Sequence, residues 1–145
     1  MKTRIKGDVQ MNILVIDGQG GRLGKQLIES IRKGFSDAYI MAVGTNSIAT
    51  AAMLKGGADE GANGENPVVV GFRKADVIVG PIGIVIADSL LGEVTTKMAV
   101  AVAQADAKRI LIPMNRCDNL VAGVNAQSMG ELIEDAVRKI NQGVC

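Results

Sequence analysis

The six residues Asn12–Asp17 (NILVID) run apolar almost without a break and stop against a cluster of glycines. A strand with one wet face alternates apolar and polar residues. An unbroken run this short fits a strand covered on both faces, as in parallel sheets. Parallel strands cannot be joined by a tight turn, so a crossover, usually a helix, must follow each one. The rest of the chain supplies that alternation. Leu23, Leu27, Ile28 and Ile31 share one face of a helix that Gly34 can stop. Residues 38–43 read as a second strand ended by Gly44, and Ser47–Lys55 as a short helix capped by Asn46 or Ser47 that exits through Gly56-Gly57. Residues 58–65 hold at most a very short third strand. Asn66-Pro67 reads as an N-cap with proline at the first helical position, opening a helix over 67–74. Residues 76–80 and 109–113 read as buried strands on either side of an apolar helix over 94–105, and 120–124 as a further short strand. The last helix, 128–141, carries a Ser128/Glu131 capping box and the stripe Met129, Leu132, Ile133, Ala136, Val137, Ile140. The expectation is an α/β, three-layer Rossmann-like domain: a mostly parallel sheet of five or six strands with helices on both faces.

The chain has 145 residues, which fits one domain. We place that domain at 11–145 and read the polar, basic residues 1–10 as a loose tail. A hydrophobic fraction of 48% against 21% charged residues supplies a sizeable core and argues against disorder. Histidine is absent, which excludes Ser-His-Asp triads, Cys-His dyads and His-ligated zinc. Two cysteines, Cys117 and Cys145, cannot build a four-cysteine metal site or a disulfide framework, and no metal is expected. With a net charge of +1 and 2% aromatic residues, a nucleic-acid partner is not expected. No apolar run of 18 residues exists and the N-terminus has no apolar signal core, so neither a membrane nor secretion is implied and a cytoplasmic location is expected.

The strongest local signal is Asp17-Gly18-Gln19-Gly20-Gly21-Arg22-Leu23-Gly24-Lys25, between the first strand and the first helix. Glycines let the backbone turn tightly and approach a ligand. The helix start behind them offers unpaired N–H groups and the positive end of a dipole to a phosphate. Gly18, Gly21 and Gly24 give G-x-x-G-x-x-G instead of G-x-G-x-x-G. Gln26 stands where a P-loop needs Ser or Thr for magnesium, so a P-loop ATPase is disfavoured. A plain strand–helix turn is the alternative reading. The stretch from Gly18 to Ile28 resembles the opening turn and helix of dihydrodipicolinate reductases, which bind NADH or NADPH there. That likeness covers about a dozen residues, and the chain lacks that family's second domain and histidines, so the reductase activity is not implied. The runs AVGTNSIAT (42–50), GPIGIVIADSLLG (80–92) and IPMN (112–115) resemble a small bacterial family of unknown function over nearly all of 11–141. That resemblance implies a free-standing cytoplasmic domain and supplies no activity.

Ligands of open parallel sheets bind beyond the carboxyl ends of the strands. Those ends here offer Asp17 with the glycines; Gly44 followed by Thr45, Asn46 and Ser47; Gly80 and Pro81 leading toward Asp88; and Asn115. No acid follows the second strand to hold ribose hydroxyls. Thr45, Asn46 and Ser47 suit a phosphate, whether the extra one of NADP or that of a mononucleotide, or they simply cap their helix. Asp17 and Asp88 are the only carboxylates expected near the cleft. They can bind Mg²⁺, hold a ribose, act as acid and base, or merely form turns. Lys25 and Asn115 complete the candidate catalytic set, and Cys117 reads as a plain free thiol. The apolar stretch 82–91 must line a pocket or pack on a second subunit; with the apolar helix after it, a homo-oligomer is expected. The leading function is binding of NADP or NAD on Gly18–Gly24, as a small oxidoreductase that borrows a substrate pocket from a neighbouring subunit. Gly21→Asp should then abolish binding with the fold intact. The alternatives are a non-redox enzyme acting on a phosphorylated small molecule and a non-catalytic oligomeric or sensor module.

Overall fold

The structure is a computed structural model, and it describes residues 10–114 and 119–142. The expected tail apart from Gln10, and Asn115, Cys117 and Cys145, lie outside the described residues. Five strands form one sheet: β1 (Asn12–Asp17), β2 (Tyr39–Gly44), β3 (Glu60–Asn63), β4 (Val77–Pro81) and β5 (Lys108–Ile112). Their order across the sheet is β3-β2-β1-β4-β5, and every pairing is parallel. The helices are α1 (Arg22–Gly34), α2 (Ser47–Lys55), α3 (Glu65–Gly71), α4 (Thr96–Ala103) and α5 (Met129–Ile140). The result is the expected α/β, three-layer, Rossmann-like architecture, with five strands among the described residues.

Alternation along β1 shows why its sequence is apolar throughout. Ile13 and Val15 face a core completed by Leu27, Ile28 and Ile31 of α1, Met53 of α2, and Ile133, Ala136 and Ile140 of α5. Leu14 and Ile16 face a second core with Val68 of α3 and Met98, Ala99 and Val102 of α4. Both faces are dry, so period-two polarity has no place in the strand.

Three expected elements shift. The third helix starts at Glu65, behind Gly64 at φ 102°, and ends at Gly71 in a 3-10 turn over Phe72–Lys74. Asn66 is therefore not its cap. Pro67 sits in the first turn, where its missing N–H has no intrahelical partner to lose. The fourth helix starts at Thr96. Thr95 caps it by accepting the Met98 N–H at 3.1 Å, and its hydroxyl donates to Glu65 Oε2 at 2.6 Å. Val94 stays outside the helix, buried in the second core. Residues 120–124 are not a strand: Val124 N–H closes a turn onto Val121 O, and Leu120 is 85% exposed. A leucine this exposed buries too little to hold a strand, because β-propensity without burial is weak. No helix among the described residues is long and apolar enough to cross a membrane.

Candidate functional site

The chain runs from β1 outward to β2 and β3, then returns past β1 to β4 and β5. Crossovers therefore leave β1 and β4 in opposite directions, and a crevice opens between them at their carboxyl ends. A cavity of about 800 Å³ lies there, lined by Asp17, residues 18–23, Pro81–Gly83, residues 86–91, Met114, Asn119 and Met129. The apolar stretch 82–91 is mostly accommodated within this one chain. Ile84 is buried in the second core, Val85 and Leu90 pack against it, and Ile82 and Ile86 line the cavity, while Leu91 is 93% exposed.

The glycines of the turn do different work. Gly21 is the N-cap of α1 at φ 73°, and a Cβ there would lie 2.6 Å from Ala49 Cα and 2.7 Å from Ala49 O. A Cβ on Gly24 would meet Met53 Sδ at 2.5 Å. These two residues let α1 close on α2. Gly18 lies under Thr45 Oγ1, Leu90 Cδ1 and Glu93 Oε1, each within 3 Å of where its Cβ would be. Gly20 alone in the turn has open space, with nothing within 4 Å. The expectation that Gly21→Asp keeps the fold is therefore corrected: any side chain there strikes the backbone of α2. Gly20 is the position of the turn where a side chain meets nothing within 4 Å.

Asp17 is 5% exposed, and its carboxyl accepts the N–H of Gly18 at 2.8 Å and of Gly24 at 2.7 Å. Burial pushes its pKa up, against the opposing pull of those two hydrogen bonds. Among the described residues no acceptor meets the N–H groups of Gly20, Arg22 or Leu23. Arg22 and Leu23 are unpaired donors in the first turn of a 13-residue helix, and Gly20 stands directly before its N-cap, all at the rim of the cavity.

At the end of β2, Asn46 caps α2 by accepting the Ala49 N–H at 2.8 Å, and its Nδ2 donates to Gln19 O at 3.0 Å. Ser47 begins α2 and is exposed. Thr45 and Asn46 do not face open space. Glu93 reaches them from the segment before α4. Its Oε1 accepts from the Gln19 N–H at 2.9 Å, Thr45 Oγ1 at 2.5 Å and Asn46 Nδ2 at 3.2 Å, and its Oε2 from Asn46 Nδ2 at 3.0 Å. The Gln19 N–H, then the Thr45 hydroxyl, hold its carboxyl below the usual range. Asp17 and Asp88 are thus not the only carboxylates at the cleft. The sequence offers one local hint of the third, a glutamate directly after Gly92 at the end of an apolar stretch.

Other expected residues divide. Asp88 lines the cavity at φ 68°, its N–H donating to Val94 O and its carbonyl accepting the Gly92 N–H, which is a turn-former's geometry. Pro81 lines the cavity. Gly80 lets β4 press against the Ile16 carbonyl. Lys25 does not line the cavity; its backbone and Cγ lie against Gly56. Among the described residues no group of three acids or cysteines is placed to hold a metal ion.

A protein-family model described as "Domain of unknown function (DUF3842)" matches residues 12–144. No curated protein matches the chain. A solved structure described as "crystal structure of AibC" is similar over 92% of this chain at 18% identity, with a TM-score of 0.46. This chain spans 40% of that one's length.

Proposed function

The chain belongs to the DUF3842 family, and we propose that it is a nucleotide-binding protein that seats a ligand phosphate on the N–H groups of Gly20, Arg22 and Leu23. One observation carries this reading: unpaired N–H donors of the glycine turn and helix start open onto a cavity of about 800 Å³ at the switch point of a parallel sheet. NADP or NAD is the cofactor class, with a small oxidoreductase as the activity. A second reading has its own support. Leu90 and Glu93 cover Gly18 on the β2 side, so the open space with residues 86–93 in place suits a mononucleotide or another phosphorylated small molecule.

Thermal unfolding with NAD, NADP, AMP and a sugar phosphate tests both. A ligand at a hundred times its dissociation constant stabilises by about 2.7 kcal/mol. Gly20→Asp adds a carboxylate in open space and should remove the ligand-induced shift while keeping the unliganded Tm. The same shift in that variant, or no shift with any ligand in the wild type, overturns the proposal. A response to the dinucleotides alone selects the first reading, and a response to AMP or the sugar phosphate alone selects the second.

A further inference from the structure

Glu93 is held the way a bound anion is held. A backbone N–H of the glycine turn, a hydroxyl and an amide converge on its carboxylate from the ends of two different strands. None of these groups forms an ion pair with it; the ion pairs of the described residues lie elsewhere. Neutral donors arranged around an oxyanion form an oxyanion receptor, and a phosphate satisfies them as a carboxylate does. Thr45 and Asn46 belong, with Ser47, to the three residues whose hydroxyl and amide groups suit a phosphate as well as a helix cap. Resting on the nucleotide-binding reading above, we infer that the Gln19 N–H, Thr45 Oγ1 and Asn46 Nδ2 form a second phosphate site, which the chain keeps filled with its own Glu93 until a phosphorylated ligand displaces it.

The segment that delivers Glu93 is built to leave. Asp88, Leu90 and Leu91 stand at φ 68°, 55° and 57°, a region where residues with side chains are strained, and Gly92 follows at 82°. Leu91 gains almost nothing from burial, being 93% exposed. Leu90 lies over Gly18, on the bare backbone that a glycine offers to a ligand. When Glu93 withdraws, Leu90 withdraws with it, and the surface of Gly18 joins the cavity to the end of β2. Glu93 and the ligand then compete for one set of donors. Apparent affinity is reduced by the fraction of molecules in which the segment is closed.

The test is calorimetric titration of NADP, whose pyrophosphate and extra phosphate can fill both sites, and of inorganic phosphate into wild type, Glu93→Gln, and Glu93→Gln combined with Asn46→Asp. Glutamine keeps an oxygen for the Gln19 N–H and Thr45 but brings no charge. Aspartate at position 46 still caps α2 through the oxygen that accepts from Ala49, and it replaces the donating amide. Glu93→Gln should bind NADP at least about tenfold more tightly than wild type, by raising the open fraction. The double variant should lose that gain. Equal affinity in wild type and Glu93→Gln, with binding still abolished by Gly20→Asp, overturns this inference and leaves the nucleotide site standing. Weaker binding in Glu93→Gln also overturns it and makes Glu93 a ligand contact. Binding in none of the proteins overturns both.

Discussion

Replacing Gly21 by alanine, beside the same change at Gly20, separates what the glycine turn does for the fold from what it does for a ligand. At Gly21 two costs add. An alanine forced to φ 73° pays for a left-handed conformation about 1–2 kcal/mol. Its methyl would also stand 2.6 Å from Ala49 Cα and 2.7 Å from Ala49 O, and this is backbone in the first turn of α2, not a side-chain tip that can swing away. Forcing extra volume into a filled contact costs roughly 1–3 kcal/mol more. The sum is a loss of roughly 2–5 kcal/mol. At Gly20 nothing lies within 4 Å and the backbone is not left-handed, so alanine there should be neutral or stabilising by up to about 1 kcal/mol through the unfolded chain. Urea unfolding reads both, as a shift in midpoint at constant slope. If the two variants fall within about 0.5 kcal/mol of each other, Gly21 is not the contact between α1 and α2 that the geometry makes it. A loss of ligand binding in a Gly21 variant is uninformative in any case, because a damaged fold produces it.

Asp17 carries a pH prediction. Its folded pKa is raised above 3.8 by burial, so the stability it contributes is full below that value and is lost as pH rises through the folded pKa. Asp17→Asn should therefore be destabilising in acid, where it leaves the N–H of Gly18 or Gly24 facing an amide nitrogen, and its deficit should shrink as pH rises from about 4 toward neutrality in paired urea titrations; a deficit that grows over that range refutes the assignment. Thr95→Ala removes the cap of α4 and the bond to Glu65, at a cost of about 1 kcal/mol or somewhat more, and Thr95→Ser should restore most of it. Equal Tm values for wild type and Thr95→Ala would mean that the cap contributes nothing.

The parts of this fold legible in the sequence are those whose causes lie within a few residues. β1 and α1 announce themselves because a short apolar run, a glycine cluster and a helical stripe follow one another. Ser128 and Glu131 mark the start of α5 because a capping box spans only three residues. Asn46 likewise caps its own helix. Glu93 was not legible, since its contact with Gln19 crosses 74 positions. It also depends on Asp88, Leu90 and Leu91 adopting backbone angles that their own preferences oppose. Val94 misled for a related reason: it is apolar and lies beside an apolar helix, yet the cap at Thr95 leaves it outside the helix as a core residue. The role of Gly21 was half legible. The turn demanded glycine, but that α2 presses against it depends on how two helices meet.

The segment before α4 is anchored at both ends in the core, by Ile84 and Val94, each 1% exposed. The nine residues between them have a contour length of about 30 Å, ample for the loop to lift clear of the turn. Neither anchor need move for this, and neither does any strand. The sheet can therefore keep its place while the loop opens, and the free energy of opening lies in the strain of the loop and in the contacts that Glu93 and Leu90 give up. Changes in the length or composition of residues 86–93 should tune ligand affinity without a matching change in global stability.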